Sequence, residues 1–316
     1  MTKMDKHILV GIDGSPASMA AVKYLGSVFG KSKRVVVDLL HILPDIPPLF
    51  LEPGESMAEL LQLQDFSVQV EKENRKKAAL IMDEAKQILT RAGMDPTNIR
   101  PLIRDRSGGV ARDILELEDK GVYDAIVLGR HGMSRLEEFF MGSVTHKVLQ
   151  HTKGLPLCMV DGEVDSPKLL VPVDGSPNSK RVLDKVAWLL AEAGPMEVTI
   201  LHVVTPLILK EMTLMWTELA YVESSIEQRV ISDAEEMLFQ AKTYLIESDV
   251  PAFAINTRLE TRVPVVRSIL KEAREGGYGS IMIGRRGISR IKRFLFGSVS
   301  NKVVQQARDM AVWVIS

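Results

Sequence analysis

Two glycine-rich motifs combine residue types and a spacing that suit phosphate binding. The first is Gly129-Arg130-His131-Gly132, followed after nine residues by Gly142-Ser143-Val144. The second has the same spacing, Gly284-Arg285-Arg286-Gly287 followed after nine residues by Gly297-Ser298-Val299. Glycine lets a backbone approach a ligand closely and adopt positive φ, and serine adds a hydroxyl donor. The repeated pattern G-x2-G-x9-G-S therefore predicts a phosphate-binding loop, present twice.

The elements around each motif support the same chemistry. Apolar runs at 125–128 and 280–283 precede the motifs and predict buried strands. Amphipathic segments at 144–150 and 299–306 follow them and predict helices. The first N–H groups of a helix lack intrahelical partners, and the helix dipole favours negative charge there. A strand, a glycine loop and a helix N-terminus together predict an anion site.

Polar side chains complete the predicted sites. Asp13 and Asp174 each end an apolar run and precede Gly-Ser-Pro, so they are candidate acids near the phosphates. Ser143 and Ser298 stand where a hydroxyl could cap the next helix and donate to a phosphate. One carboxylate beside such a loop does not define a hydrolase. The sequence has no P-loop, no G-x-S-x-G elbow and no H-E-x-x-H motif.

The order of predicted elements defines the fold class. Each half is predicted to run β-α-β-α-β-α-β-α-β, with strands that are apolar on both faces, as parallel strands covered by helices are. The predicted fold is α/β, with two doubly wound five-stranded parallel-sheet domains of Rossmann-like type in tandem. The predicted domains are residues 1–160 and 168–316, joined by a short linker at 161–167, so the two halves should pack together. Ligands of such sheets bind beyond the carboxyl ends of the strands.

Apolar segments lie between the second predicted strand and the long helix of each half. They comprise residues 46–51 with 57–63, and residues 207–222. One interpretation is a surface for a partner or a lid, because methionine-rich patches adapt to varied shapes. The other is that these segments cover the edge of their own core.

Composition narrows the classes of partner and location. The 316 residues carry a formal net charge of −1, which argues against attraction to nucleic acid or to an anionic membrane. No run approaches the ~20 apolar residues that span a bilayer, and the N-terminus has no signal-peptide pattern. The single cysteine, Cys158, lies in an apolar run and fits a core position in a reducing compartment. We therefore expect a cytoplasmic protein.

The histidines His41 and His202 end the second predicted strands and raise the question of a metal site. Neither has a second ligand at metal-binding spacing, so we interpret them as hydrogen-bonded structural histidines and predict no protein-ligated metal.

The aspartate after strand one, the Leu-His ending of strand two and the G-x2-G-x9-G-S motif, found twice, resemble the universal stress protein family. The resemblance covers both halves nearly end to end and implies a tandem member with the adenine nucleotide alpha hydrolase-like fold. It implies membership of the family branch that binds ATP or related adenine nucleotides (ADP, AMP). It also implies pairing of domains through their last strands, here as an intramolecular pseudo-dimer, with a homodimer as a further expectation.

The resemblance assigns roles to particular residues. Asp13 and Asp174 would face the ribose or adenine, and Ile42 and Val203 would lie against the adenine. The phosphates and ribose would be held by Gly129, Gly132, Gly142, Ser143 and Val144 in the first half, and by Gly284, Gly287, Gly297, Ser298 and Val299 in the second. Family members often have proline two residues before the first aspartate; Pro172 matches this pattern, whereas Gly11 departs from it. Mg²⁺ would bind through the phosphates.

The two motif loops differ in charge. In the first, Arg130 and Arg135 balance Glu137 and Glu138. The second has five positive and no negative side chains, namely Arg285, Arg286, Arg290, Lys292 and Arg293. If these charges are not simply solvated, they should favour a triphosphate in the second half. The expectation is therefore of two unequal sites.

Three functions remain open from the sequence. The first is a nucleotide-binding regulatory or stress-response module that acts on an unidentified protein partner. The second is a slow ATPase, or a nucleotidyl- or phosphoryl-transferring enzyme of the same architecture. The third is an interaction scaffold that no longer binds nucleotide, against which the two intact glycine motifs argue.

Overall fold

The computed structural model of the chain describes residues 5–45, 57–132, 141–204, 220–261, 264–285 and 297–316. Within these ranges the first half has the predicted order of elements. They are β1 (Lys6–Gly11), α1 (Pro16–Phe29), β2 (Val35–Ile42), α2 (Met57–Arg91), β3 (Ile99–Arg104), α3 (Val110–Glu118), β4 (Ala125–Gly129), α4 (Ser143–His151) and β5 (Leu157–Val160).

The second half repeats this order. Its elements are β6 (Lys168–Pro172), α5 (Pro177–Glu192), β7 (Glu197–Val203), α6 (Ala220–Glu247), β8 (Ile255–Glu260), α7 (Val265–Glu275), β9 (Ser280–Gly284), α8 (Ser298–Gln306) and β10 (Ala311–Ile315). The predicted α/β fold with two alternating halves is thus confirmed. No helix of the described ranges is both long and apolar enough to cross a membrane.

The strands form one sheet that runs through both halves. Their order is β3-β2-β1-β4-β5-β10-β9-β6-β7-β8. Neighbours within each half are parallel, as predicted for a doubly wound sheet. The last strands β5 and β10 pair antiparallel, with Cys158 opposite Trp313. The two five-stranded sheets are therefore joined edge to edge, and neither β5 nor β10 remains an exposed edge strand.

Helices cover both faces of this sheet. One buried apolar cluster packs α1, α2, α5 and α6 against the sheet, and the other packs α3, α4, α7 and α8 against the opposite face. Each cluster contains residues of both halves, so the hydrophobic core is continuous across the β5–β10 boundary. Cys158 is fully buried, and burial raises the pKa of its thiol well above the ordinary value. Cys158 is thus a core residue, as the sequence indicated.

Parts of the apolar segments 57–63 and 207–222 belong to the long helices rather than preceding them. The sequence predicts residues 57–63 ahead of the long helix, but they form its first turns, because α2 starts at Met57. Residues 220–222 likewise belong to α6. Neither helix contains glycine or proline, and Pro53-Gly54 stands just ahead of α2. The rest of these segments, 46–51 and 207–219, lies outside the described residues.

The segment 161–167, predicted as a linker, is fastened at both ends. The Asp161 N–H donates to Met310 O at 3.2 Å, and Ser166 Oγ donates to Gly277 O at 2.6 Å. Outside the linker, Arg34 of the first half forms an ion pair with the buried Glu192 of the second, at 2.5 Å. These contacts hold the halves together beyond the sheet, as the prediction of packed halves requires.

Candidate functional site

Each half has a cavity at the carboxyl ends of its strands, where the sequence predicts the ligand. The cavity of the first half measures about 330 Å³ and lies where β1 and β4 adjoin. In doubly wound sheets this is the topological switch point, since the chain leaves these two strands in opposite directions. All eight residues predicted for this half line it, namely Gly11, Asp13, Ile42, Gly129, Gly132, Gly142, Ser143 and Val144.

The cavity of the second half is equivalent in position and measures about 300 Å³. Seven of the predicted residues line it, namely Pro172, Asp174, Val203, Gly284, Gly297, Ser298 and Val299. The eighth, Gly287, lies outside the described residues. The structure therefore brings together, in two separate places, residues that are more than a hundred positions apart in the sequence.

The first wall of each cavity is the turn after β1 or β6, where the aspartate stands. Asp13 Oδ1 accepts the Ser15 N–H at 2.9 Å, and Asp174 Oδ1 accepts both the Ser176 N–H at 3.1 Å and Ser179 Oγ at 2.9 Å. A Cβ added at Gly132 would lie 2.9 Å from Asp13 Oδ2, so this carboxylate faces the glycine loop closely. A carboxylate accepts hydrogen bonds and repels phosphate, which suits ribose hydroxyls better than phosphates.

The histidines of β2 and β7 hold this turn in place. His41 Nδ1 lies 2.9 Å from Ile12 O, and His202 Nδ1 lies 2.8 Å from Val173 O. Because a carbonyl oxygen only accepts, Nδ1 carries the proton in both contacts. These contacts agree with the interpretation as structural histidines. In the described part of the chain, no group of three or more His, Cys, Asp or Glu residues could hold a metal ion.

The second wall is the N-terminus of α4 or α8. The prediction that Ser143 and Ser298 cap these helices is wrong, because they are the first helical residues and Gly142 and Gly297 hold the N-cap positions. Neither glycine can supply a capping side chain, so the first N–H groups are not satisfied by a side-chain cap. The residues that carry these donors line the two cavities, an arrangement that suits an anion.

Hydroxyl groups that sequence reasoning missed fix these helix starts. Thr145 Oγ1 donates to Gly129 O at 2.9 Å, and the equivalent Ser300 Oγ donates to Gly284 O at 2.6 Å. Each bond ties the helix to the end of the strand that precedes the motif. The signal was present in the sequence, since both motifs continue as Gly-Ser-Val followed by a hydroxyl residue.

Gly129, the first glycine of the first motif, is required by close packing. A Cβ at Gly129 would lie 2.6 to 2.7 Å from the backbone of Ala17 and Ser18, at the start of α1. Real Cβ atoms do not approach backbone so closely, so any other residue would displace α1 or the loop.

The floor of each cavity is apolar, which sequence reasoning also missed. Leu40, Val110, Ile114 and Leu128 line the first, and Leu201, Val265, Ile269 and Ile283 line the second. Arg106 also lines the first cavity and pairs with Asp45 at 3.2 Å. An apolar floor beside a helix N-terminus suits a ligand with a flat apolar part and an anionic part.

The arginines inside the motifs do not point to the phosphate position. Arg130 and Arg285 are among the charged residues of the two loops, yet each side chain donates to backbone carbonyls of the opposite half. Burial, together with the charge of Arg308, lowers the pKa of Arg130 to about 10. The difference in net charge between the two loops is the same without Arg130 and Arg285, because each loop contains one of them. The remaining charged residues of the loops lie outside the described residues.

Comparison with known proteins places the fold and the repeats in a family. The profile described as the universal stress protein family matches residues 4–160 and 166–315. Universal stress protein YxiE of Bacillus subtilis is 35% identical over 142 residues, which cover 44% of this chain and 91% of that protein. A universal stress protein of Mycolicibacterium smegmatis is 23% identical over 312 residues, covering 95% of this chain and 94% of its own length.

A crystal structure of a universal stress protein from Archaeoglobus fulgidus shares the fold along nearly the whole chain. It has a TM-score of 0.61 and 19% identity, and the match covers 98% of both chains. Two matches of one family profile, in sequence order, account for almost every described residue. The chain therefore belongs to the universal stress protein family and carries two of its domains in tandem.

Proposed function

We propose that each half binds one adenine nucleotide, ATP or a related ADP or AMP, in its cavity. The observation that carries this proposal is that every predicted site residue within the described ranges lines one of two equivalent cavities. The phosphates would take the N–H groups at the starts of α4 and α8. The ribose would face Asp13 or Asp174, and the adenine would lie near Ile42 or Val203. In this proposal the domains are residues 1–160 and 168–316, with 161–167 between them.

The residues present fit such a ligand. The cavities fall at the lower end of the ~300–1,000 Å³ typical of small-molecule sites. Their apolar floors suit a purine, and their uncapped helix starts suit phosphate oxygens. Mg²⁺ would bind chiefly through the phosphates, because this ion keeps most of its ligands from substrate and water.

The biological role that follows is a regulatory, stress-response module in the cytoplasm. A bound nucleotide would favour one conformation of the protein and so bias its contacts with a protein partner. This requires that the nucleotide bind the two conformations with different affinities. A homodimer would need a surface other than the last strands, because β5 and β10 already pair with each other. Slow hydrolysis of ATP is the alternative function.

The test uses two matched substitutions, Ser143→Asp and Ser298→Asp. Aspartate is favourable in the first turn of a helix, so folding should be preserved, while its carboxylate should repel the phosphates. We expect about two nucleotides per chain, whether they are released when the purified protein is denatured or taken up when the empty protein is titrated. Each single variant should bind about one, and the double variant should bind none. A wild-type chain that is empty and refuses ATP, ADP and AMP would contradict the proposal. If the wild type forms ADP or AMP from ATP and the double variant does not, the alternative of a slow enzyme is favoured.

A further inference from the structure

The arginine that follows the first glycine of each motif connects the two halves. Arg130 lies in the loop of the first half, and its Nη1 donates to Val304 O at 2.9 Å and to Ala307 O at 2.6 Å. Its Nη2 donates to Gln305 O. These carbonyls are at the C-terminal end of α8, in the second half. Carbonyls at a helix C-terminus lack intrahelical donors, so a guanidinium is a suitable partner for them.

The second half returns the same contact. Arg285 Nη1 donates to Thr152 O at 2.6 Å, and its Nη2 donates to Gln150 O at 2.7 Å, both at the C-terminal end of α4. The positive charge of each arginine also opposes the negative end of the helix dipole. The contact is thus reciprocal, although the two arginines lie far apart in the sequence.

The backbone of each arginine completes a closed ring. Arg130 O accepts the N–H of Gly142, the N-cap of α4, at 2.9 Å, and Arg285 O accepts that of Gly297, the N-cap of α8, also at 2.9 Å. Each arginine therefore holds the start of its own phosphate-site helix through its backbone. Through its side chain it holds the end of the other one. The ring runs from Arg130 to α4, to Arg285, to α8 and back to Arg130.

We propose that Arg130 and Arg285 are positioning residues for nucleotide binding, each acting on the site of the opposite half. Arg130 fixes α8, whose N-terminus is the phosphate site of the second half, and Arg285 fixes α4 in the same way. A helix of nine residues moves as one rigid unit, so a displacement of its C-terminus shifts the N–H groups at its start. This inference rests on the proposed nucleotide binding.

The two arginines differ in strength of attachment. Arg130 is only 3% exposed and makes three hydrogen bonds to α8. Arg285 is half-buried, and it donates to Thr152 O and Gln150 O at the end of α4. Charge-assisted hydrogen bonds are stronger where water is excluded. Burial therefore favours a larger effect for loss of Arg130 than for loss of Arg285. Arg308 Nη1 also donates to Gln305 O and Ala307 O, so these two carbonyls keep a donor when Arg130 is lost, whereas Val304 O loses its Arg130 donor.

The experiment measures each site alone. Ser143→Asp leaves the site of the second half to be titrated with ATP and Mg²⁺ by calorimetry, and Ser298→Asp leaves that of the first. Arg130→Gln is then added to both backgrounds. We expect it to weaken the second-half site by about fivefold or more, in the range of typical coupling between sites, and the first-half site clearly less. Arg285→Gln should give the reverse pattern.

Control variants separate positioning from general damage. Arg91→Gln removes one charge from an exposed side chain whose described partner is Gln87 of its own helix, and it should change neither site. Arg130→Lys keeps the charge but loses the planar fork, so its effect should be intermediate. Hydrogen exchange should show reduced protection in 298–307 for Arg130→Gln. If Arg130→Gln does not fold, Arg285→Gln carries the test.

The outcomes distinguish this inference from the proposed function. If each arginine variant weakens only the site of its own half, or both sites equally, the cross-half positioning is wrong. If Ser143→Asp and Ser298→Asp bind no ATP even with both arginines intact, and the wild type binds none, the proposed function itself fails. Binding at both isolated sites with the crossed pattern supports both.

Discussion

Trp313 Nε1 donates to Tyr24 Oη at 2.8 Å, and this hydrogen bond joins the last strand of the second half to the first helix of the first half. Tyr24 Oη also lies 3.0 Å from Ser280 Oγ of β9. All three side chains are buried, and Trp313 makes an edge contact with Trp188 of α5 at 6.3 Å between ring centroids. Burial raises the pKa of Tyr24, so its hydroxyl stays protonated and available as a donor. A polar network inside an apolar boundary thus fixes how the halves pair.

Tyr24→Phe should destabilise the chain by about 1–3 kcal/mol, because it leaves the Trp313 N–H buried without its acceptor. Urea unfolding followed by tryptophan fluorescence measures this loss. Tyr244→Phe is the matched control, since its hydroxyl donates to the carboxylate of Asp184 at the surface and should matter much less. Equal losses for both variants would mean that the buried network has no special role.

Some features of the fold followed directly from sequence pattern, and others could not. The alternation of strands and helices and the positions of Asp13 and Gly129 at strand ends depend on local periodicity, which the sequence displays. The pairing of Tyr24 with Trp313 depends on how two distant segments meet, and nothing in either segment indicates its partner. The same holds for Arg130 and Arg285, whose position in a phosphate motif suggested a ligand rather than a helix C-terminus.

Errors at element boundaries had local causes. The N-cap of α4 was expected at Ser143 because serine is a common capping residue, but glycine occupies that position one residue earlier. The apolar composition of residues 57–63 suggests a separate segment ahead of α2, either a partner or lid surface or a cover for the edge of the core. The absence of glycine and proline between 57 and 91 was the better signal for one continuous helix.

Gly129→Ala should disturb both folding and nucleotide binding in the first half. The added Cβ would meet the backbone of Ala17 at 2.6 Å, and such overpacking typically costs about 1–3 kcal/mol. Gly154→Ala is the control, because its Cβ would meet no atom within 4 Å and its φ is not positive. Gly129→Ala and Gly154→Ala are each made in the Ser298→Asp background, which keeps only the first-half site, and are compared by thermal unfolding and by ATP titration. If Gly129→Ala behaves like Gly154→Ala, close approach is not the reason for glycine at this position.

The second half should prefer a triphosphate more strongly than the first. Its loop carries an excess of positive charge even without Arg285, which contacts the opposite half. We expect the ratio of AMP to ATP dissociation constants to be larger in Ser143→Asp, which keeps the second site, than in Ser298→Asp. The difference should shrink as salt rises, since exposed charges are screened within about 10 Å at 0.1 M. If the ratio of AMP to ATP dissociation constants is the same for both sites at low salt, the positive charges of the second loop are solvated and do not act on the ligand.

Asp113→Asn should destabilise the chain near neutral pH and lose this effect in acid. Asp113 is only 4% exposed, and its carboxylate accepts Ser107 Oγ at 2.7 Å and the N–H groups of Ser107 and Gly108 at 3.1 Å. Burial opposes its charge, yet these hydrogen bonds and Arg106 lower its pKa below the ordinary value. The folded state therefore binds this proton less readily than the unfolded state. The carboxylate stabilises fully above the unfolded pKa of ~3.9 and loses that contribution as pH falls through the folded value.

The measurement is urea unfolding of wild type and Asp113→Asn from pH 8 down to pH 3. We expect a difference in unfolding free energy of about 1.5–3 kcal/mol, the range for hydrogen bonds to a charged group, that is constant above about pH 5 and narrows as the pH falls below about 4. Asp95→Asn is the matched control, because that exposed carboxylate also has a lowered pKa from hydrogen bonds with Thr97. Its gap should be smaller, since water competes for exposed hydrogen bonds. A gap for Asp113→Asn that persists unchanged at pH 3 would show that its shape, and not its charge, matters.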